Sequence, residues 1–316
     1  MSPLRTGAAA VLPAGAGALS RRRERRERRA AVAAVPRPVV PTSAWLPTAP
    51  CSPQVCVTAG RTVADVPRAV LRIVALLVTL LVGVALLPVS RLVPAARRDV
   101  LIRGWSRAVV RAAGVRLRVT GGAVAPDGGL LLVANHISWL DIPLLAAVRP
   151  ARMLAKAEIR GWPVAGGLTA RSGALFIERD RLRELPRTVA RIADALRSGA
   201  AVVAFPEGST WCGRAQGAFR RAVFQAALDA GVPVQPVRLR YRVEGGAAST
   251  APAFVGEDSL LASVWRVVTA RRLVAEVEIR AAIPAGVHLD RRGLARAAQP
   301  VPAVAGPGRA HADLGG

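Results

Sequence analysis

In LLLVANHISWLD, residues 130–141, a histidine lies two positions and an aspartate seven positions after a run of five apolar residues. A continuous apolar run such as Leu130–Ala134, with polar residues at its end, is typical of a central strand covered on both faces of its sheet. Ala201–Phe205 has the same character. His136 therefore follows a predicted central strand, which is where α/β sheets place their binding and catalytic residues.

Short β-branched or leucine-rich runs alternate with helical stretches from residue 115 onward. Seven strands are predicted, over Val115–Thr120, Leu130–Ala134, Met153–Ala155, Ala174–Ile177, Ala201–Phe205, Val232–Leu239 and Val274–Ile279. Four helices are predicted among them, over Trp139–Ala147, Leu182–Arg197, Phe219–Ala230 and Leu260–Ala270. This alternation predicts an α/β fold with a mixed, mostly parallel sheet flanked by helices.

The chain is both basic and apolar. Its 316 residues carry a formal charge of +25, and 52% of them are hydrophobic. That combination favours a protein on an anionic membrane surface. Only the positive charge would support nucleic-acid binding. Because no aromatic residues interleave with the basic runs, we expect no nucleic-acid partner. Arginine, alanine, glycine and proline are all abundant, as in GC-rich coding, so charge is informative only where it clusters.

Both ends of the chain differ in composition from its middle. Residues 1–66 are rich in Ala, Pro and Arg without periodicity, which predicts a disordered tail, and no signal peptide is expected. Residues 285–316 are predicted to form a flexible C-terminal tail. Membrane-associated helices are expected over 67–114 and the functional domain over 115–284.

One apolar segment has the length of a membrane helix. Ile73–Ser90 carries no charge and would form a helix about 27 Å long, against a hydrocarbon core of about 30 Å. Pro88 shortens it, so we expect a helix inserted in one leaflet or spanning with strain; the alternative is a buried core helix. Leu101–Gly114 follows as a basic amphipathic helix, at the membrane interface or on the domain surface.

Three cysteines give no recognisable pattern in the sequence. Cys51 and Cys56 lie in the low-complexity stretch, and Cys212 is far away. Three is a poor number for a disulfide framework, and no pair of Cys pairs is present. We therefore expect no metal site and a reducing, cytoplasmic environment.

His136 and Asp141 have the chemistry of a base and its orienting carboxylate. Histidine titrates near neutrality and suits general-base catalysis. A tight turn at the strand end would bring Asp141 to one imidazole nitrogen, fixing the tautomer and stabilising the imidazolium. A capped helix start is the alternative explanation of both residues.

Five blocks in order resemble the motifs of the glycerolipid acyltransferase family, which includes 1-acylglycerol-3-phosphate acyltransferases. They are Asn135-His136 with Asp141 (the HX4D motif), Lys156–Gly166, Gly173–Arg179, Phe205–Thr210 and Val232–Val237. The resemblance covers roughly residues 70–283. It implies an O-acyltransferase of phospholipid biosynthesis, with 1-acyl-sn-glycerol-3-phosphate as the expected acceptor and His136 and Asp141 as catalytic residues. No Gly-x-Ser-x-Gly elbow is present, which favours direct attack by the acceptor over an acyl-enzyme.

The same resemblance implies the substrate-binding residues. Arg179 would bind the acceptor's phosphate, and Glu207 would contact its glycerol hydroxyls. Lys156, the only lysine of the chain, would hold either the oxyanion or the phosphate. Backbone amides near Gly208 are the other candidates for the oxyanion.

The chain departs from the family at one position. Ser209-Thr210 stands where the third motif usually has Thr-Arg, so one phosphate-binding cation is missing unless Arg214 or Arg220 replaces it. Ser209 and Thr210 are still expected to contact the acceptor. Because relatives with a hydroxyl residue here include lyso-ornithine-lipid acyltransferases, whose acceptor lacks phosphate, that acceptor is the alternative.

The expected partners follow from this chemistry. They are membrane lipids and an acyl thioester, either acyl-CoA or acyl carrier protein, as co-substrate with no other cofactor. The protein is expected at the membrane with its active site facing the cytoplasm. The remaining alternative is a non-catalytic peripheral lipid-binding protein of the same fold.

Overall fold

A computed structural model of the protein describes residues 49–57, 66–90, 92–124, 127–156, 173–177 and 182–300. The helices are α1 (Pro53–Cys56), α2 (Val66–Ser90), α3 (Ala95–Ala112), α4 (Asp141–Val148), α5 (Leu185–Arg197), α6 (Ala222–Ala230), α7 (Leu260–Thr269) and α8 (Arg291–Ala298). The strands are β1 (Val115–Gly121), β2 (Leu130–Ala134), β3 (Arg152–Lys156), β4 (Leu175–Ile177), β5 (Ala201–Ala204), β6 (Val234–Val243) and β7 (Leu273–Ile279).

The seven strands form one mixed sheet. Their order is β1-β7-β6-β2-β5-β3-β4, and every neighbouring pair is parallel except β6 and β7. All seven predicted strands are present at or near their predicted bounds, which confirms the predicted fold class. The strand β2 lies between β5 and β6, so its carboxyl end, where His136 begins, is central in the sheet.

Alternate residues of β2 point into two hydrophobic clusters, one on each face of the sheet. Leu130 and Leu132 join a cluster with residues of α3, α4 and α7. Leu131 and Val133 join a second cluster with residues of α5, α6 and α8. Because both faces are covered, a continuous apolar strand is stable here without polar alternation.

The long helix α2 is exposed along most of its length. It is the one helix in the described part of the chain that is long and apolar enough to cross a membrane, and 6% of its most apolar window is buried. The alternative of a buried core helix is therefore wrong. The hydrogen bonds between α2 and the domain include those from Arg72 to the carbonyls of Val268 and Ala270 and that from the Trp105 indole of α3 to Thr79 O at 2.8 Å.

Two segments predicted to be tails contain ordered structure. Residues 49–57 include α1, and Cys51 is buried in the cluster that also contains α4 residues. Near the other end, α8 buries Leu294, Ala295 and Ala298 against the second cluster, with Asp290 capping its amino terminus. Composition alone does not show which short apolar segments of such stretches find a covering surface. The rest of the two predicted tails, residues 1–48, 58–65 and 301–316, lies outside the described residues.

Candidate active site

Asn135 extends the pairing of β2 with β6 by one residue. Its side-chain amide donates to Leu239 O at 3.1 Å, and its Oδ1 accepts from Leu239 N at 2.8 Å. These two bonds replace the backbone ladder at the point where the chain leaves the sheet. The loop that starts at His136 is thus anchored at its first residue.

The carboxylate of Asp141 organises the loop between β2 and α4. Its Oδ2 accepts the backbone N–H groups of Ile137 at 2.6 Å and Ser138 at 2.8 Å, and lies 2.8 Å from Nδ1 of His136. Asp141 is fully buried, so these partners replace its hydration. The five-residue spacing has a physical reason: it lets the loop fold back and direct two amides and one imidazole at a single oxygen.

Tyr241 completes the shell of the carboxylate. Its hydroxyl donates to Oδ1 of Asp141 at 2.6 Å, and burial together with the Asp141 charge raises the pKa of Tyr241 well above its usual value. The phenol therefore stays protonated and remains a donor. Sequence reasoning missed this residue, although it is the only tyrosine of the chain and lies between two arginines on β6, where the alternation turns it toward the core.

The imidazole of His136 is set up as a base. Asp141 can only accept, so Nδ1 carries the proton and Nε2 keeps its lone pair. The His136 side chain is 20% exposed, and in the described part of the chain its Nε2 makes no hydrogen bond. One face stacks on Phe205, with ring centroids 4.0 Å apart and planes inclined by 15°. The ring is thus held on one face and at Nδ1, which leaves the lone pair of Nε2 able to accept a proton.

Glu207 lies behind this loop rather than in an open pocket. Its Oε2 accepts the backbone N–H of His136 at 2.7 Å, and its Oε1 accepts the N–H of Gly217 at 2.9 Å. Burial raises the pKa of Glu207 to about 7, although both amide donors oppose that shift. With both oxygens bound to backbone, the side chain holds the chain at His136, and the contact with acceptor hydroxyls that the resemblance implied stays a prediction.

Backbone hydrogen bonds hold the loop that begins at His136 from two further directions. Trp211 N donates to His136 O at 2.8 Å, and Phe254 N donates to Ile137 O at 2.9 Å. The loop that follows β5 therefore packs directly on the loop that follows β2. A shift of either loop would move the imidazole.

The residues of the third motif surround a sharp turn. Gly208 adopts φ +76°, and its N–H donates to Phe205 O at 3.1 Å, so this amide already has an acceptor within the turn. Ser209 Oγ is buried and has no hydrogen-bond partner among the described residues. Thr210 is half-buried, whereas Arg214 and Arg220 are exposed. The turn thus contains one buried hydroxyl group and one half-buried threonine, and both arginines lie at the surface.

Two predicted substrate-binding side chains cannot be placed. Lys156 ends β3, where its backbone pairs with Ile177 of β4, but its side chain lies outside the described residues. Arg179 also lies outside them. The predicted roles of both residues remain predictions.

A family match and two relatives with known names all point to acyltransferases. The sequence profile of the Acyltransferase family matches residues 116–240. The lyso-ornithine lipid O-acyltransferase of Pseudomonas aeruginosa is 39% identical over 213 residues, which cover 67% of this chain and 80% of that protein. The 1-acyl-sn-glycerol-3-phosphate acyltransferase of Neisseria meningitidis serogroup B is 34% identical over 201 residues, 64% of this chain and 78% of that protein.

A solved structure shares the fold. The crystal structure of the 1-acyl-sn-glycerophosphate acyltransferase of Thermotoga maritima superposes with a TM-score of 0.56 at 18% identity. The superposition covers 75% of this chain and 92% of that one. At this identity the likeness concerns the fold alone.

Proposed function

The chain belongs to the acyltransferase family and is an O-acyltransferase, and we propose that it moves a fatty acyl group from a thioester to the free hydroxyl of a lysolipid. The observation that carries this proposal is the geometry of His136, with Nδ1 bound to Asp141 and Nε2 left for a substrate. A non-catalytic lipid-binding protein would have no use for a buried carboxylate that three other donors hold against one imidazole.

The proposed reaction is a direct transfer. Nε2 of His136 takes the proton of the acceptor hydroxyl as its oxygen attacks the thioester carbonyl. The tetrahedral intermediate then expels the thiolate, which receives the proton back from the imidazolium, so that an ester and a free thiol are formed. Asp141 stabilises the imidazolium between the two steps.

The oxyanion of that intermediate needs donors other than the Gly208 amide, which the turn already uses. The buried hydroxyl of Ser209 is a candidate, because it lacks a hydrogen-bond partner among the described residues. Lys156, at the end of β3, is the other. Either would supply positive potential where charge develops.

The donor is acyl-CoA or acyl carrier protein, and we propose no further cofactor. Both donors are acidic and cytoplasmic, so we propose that the active site faces the cytoplasm, with clustered arginines of the chain available to meet the donor. The exposed apolar helix α2 would insert in the bilayer and keep the site at the lipid surface. The acyl chains of both lipids would then stay in an apolar environment during transfer.

Two acceptors have support from different observations. The expected acceptor, 1-acyl-sn-glycerol-3-phosphate, is the substrate named for the Neisseria relative. Lyso-ornithine lipid is the substrate named for the Pseudomonas relative, and the half-buried Thr210 favours it, because no arginine stands at this position to bind a phosphate. We therefore propose lyso-ornithine lipid as the preferred acceptor.

An acceptor competition tests this proposal. Purified protein in detergent would receive labelled acyl-CoA or acyl carrier protein with lyso-ornithine lipid and 1-acyl-sn-glycerol-3-phosphate in equal amounts. We expect the label to enter ornithine lipid preferentially, with transfer depending on His136. Preferential labelling of phosphatidic acid would overturn the proposed acceptor, and no transfer to any lysolipid would overturn the proposed function.

A further inference from the structure

All three cysteines of the chain meet at one point in the fold. Cys51 and Cys56 belong to the segment that contains α1, and Cys212 belongs to the loop after β5. Their three sulfur atoms all lie within 4.8 Å of one another, and the thiols are free. Cys51 and Cys212 are buried and Cys56 is half-buried. We propose that these thiols form a three-cysteine Zn²⁺ site that fastens residues 49–57 to the loop beside His136.

The separation of the sulfurs is close to what zinc requires. Thiolates bound tetrahedrally at about 2.3 Å from a shared zinc ion lie about 3.8 Å from each other. Drawing the sulfurs together from at most 4.8 Å needs side-chain shifts smaller than a bond length. The local fold assists: the N–H of Cys56 donates to Ser52 O at 2.9 Å, and this turn brings the thiols at both ends of the segment to the same side.

Backbone amides near two of the sulfurs favour their thiolate forms. Against the effect of burial, the N–H groups of Arg214 and Ala215 lower the pKa of Cys212. Burial raises the pKa of Cys51 to about 12, and the N–H of Cys212 opposes that rise. Such outer donors orient thiolate ligands and offset part of their charge. Among the described residues, no His, Asp or Glu joins the cluster, so solvent or another small ligand would fill the fourth position. Each thiol would lose its proton to solvent on coordination.

The site has a clear mechanical consequence. Cys212 follows Trp211, whose N–H holds the carbonyl of His136, and Gly213 lies against Ile137. The ion would thus stiffen the loop that supports the base. The segment 49–57 would be fastened to the domain through thiolates as well as through its apolar packing, as small zinc-bound elements are. The inference concerns binding, so it stands or fails independently of the acyl acceptor.

The test uses the full chain purified in detergent without chelator, with zinc measured by plasma mass spectrometry. We expect one zinc per chain in the wild type. Replacing zinc by Co²⁺ should give sulfur-to-cobalt charge-transfer bands with the intensity of three thiolates. In Ellman titration, the thiols should be protected with zinc bound and all three should react after chelation.

The variants Cys51→Ser, Cys56→Ser and Cys212→Ser should each weaken Zn²⁺ binding by at least about a hundredfold, because even loss of an outer partner costs ten- to a hundredfold. Ser52→Ala, which removes no thiol, is the matched control and should keep its zinc. If a variant does not fold, the zinc content and thiol reactivity of the wild type still test whether the three cysteines bind Zn²⁺. Two results would overturn the proposal. One is wild-type protein that is purified without zinc and, with its thiols reduced, does not bind added Zn²⁺. The other is a disulfide between these cysteines in freshly purified protein.

Discussion

The hydroxyl of Tyr241 lies 2.6 Å from Oδ1 of Asp141, while the other oxygen of the same carboxylate bonds to His136. The two residues are 100 positions apart and meet because β6 is paired with β2. Asp141 is thus held by a side chain from the neighbouring strand as well as by its own loop. The position of the proposed base therefore depends on a strand that does not itself contain a catalytic residue.

Tyr241→Phe should reduce turnover without weakening substrate binding. The substitution leaves one oxygen of a fully buried carboxylate without its donor, which costs about 1–3 kcal/mol of stability. Because Asp141 then holds the imidazole less firmly, we expect kcat to fall while KM for both substrates stays unchanged. Steady-state kinetics with both substrates measure this split. Thr269→Val, which removes a buried hydroxyl away from the site, should lower stability and keep kcat; equal kcat in wild type and Tyr241→Phe would contradict the orienting role.

The titration of Glu207 predicts how stability depends on pH. Because its pKa is raised from 4.5 to about 7 in the folded protein, its contribution to stability is fully present below about pH 4.5 and is lost as pH rises through 7. Glu207→Gln does not titrate. The wild-type melting temperature should therefore fall relative to that of the variant between these pH values, by an amount equivalent to roughly 3 kcal/mol. Thermal unfolding followed by tryptophan fluorescence gives the difference, and a difference that stays constant across this range would contradict the assignment.

The sequence predicted the fold and the contact between His136 and Asp141, for reasons that can be named. The strands β2 and β5 are continuous apolar runs, so they were found from composition, and His136 and Asp141 belong to one tight loop. The sequence does not predict the role of Tyr241, because its partner Asp141 is distant in sequence. The sequence does not predict the burial of Glu207 for the same reason. The packing of two loops brings its partners, His136 and Gly217, next to it.

The cysteine cluster shows a similar limit. Cys51 and Cys56 looked like part of a disordered tail, because the apolar surface that covers them is built from residues far along the chain. Only the fold shows that Cys212 lies beside them.

The exposed side of α2 should control membrane attachment. Leu81 is 67% exposed on this helix, and a charge near the middle of a bilayer costs about 2.5–3.5 kcal/mol. We expect Leu81→Asp to shift the protein toward the soluble fraction after alkaline carbonate extraction of membranes. Leu289→Asp, at an exposed leucine just before α8, is the control and should remain with the membrane. Equal partitioning of both variants and wild type would show that α2 is not the anchor.

Thr210→Arg should change the preferred acceptor. An arginine here would restore a fork that binds a phosphate through charged hydrogen bonds. We expect kcat/KM for 1-acyl-sn-glycerol-3-phosphate to rise about tenfold relative to lyso-ornithine lipid, the equivalent of 1.4 kcal/mol. The neutral variant Thr210→Gln controls for side-chain size. If Gln changes the ratio of the kcat/KM values for the two acceptors as much as Arg does, or if neither variant changes it, the residue at position 210 does not select the acceptor head group.

The central claim is that Nε2 of His136 removes the proton of a lysolipid hydroxyl, and one rate comparison tests it most directly. Wild type, His136→Ala and His136→Gln would be assayed for acyl transfer from labelled donor after thermal unfolding has shown that each is folded. His288→Ala serves as the control at a histidine outside the site. The account predicts a loss of roughly a hundred- to ten-thousandfold in both His136 variants and none in the control. Folded His136 variants as active as the wild type would contradict it.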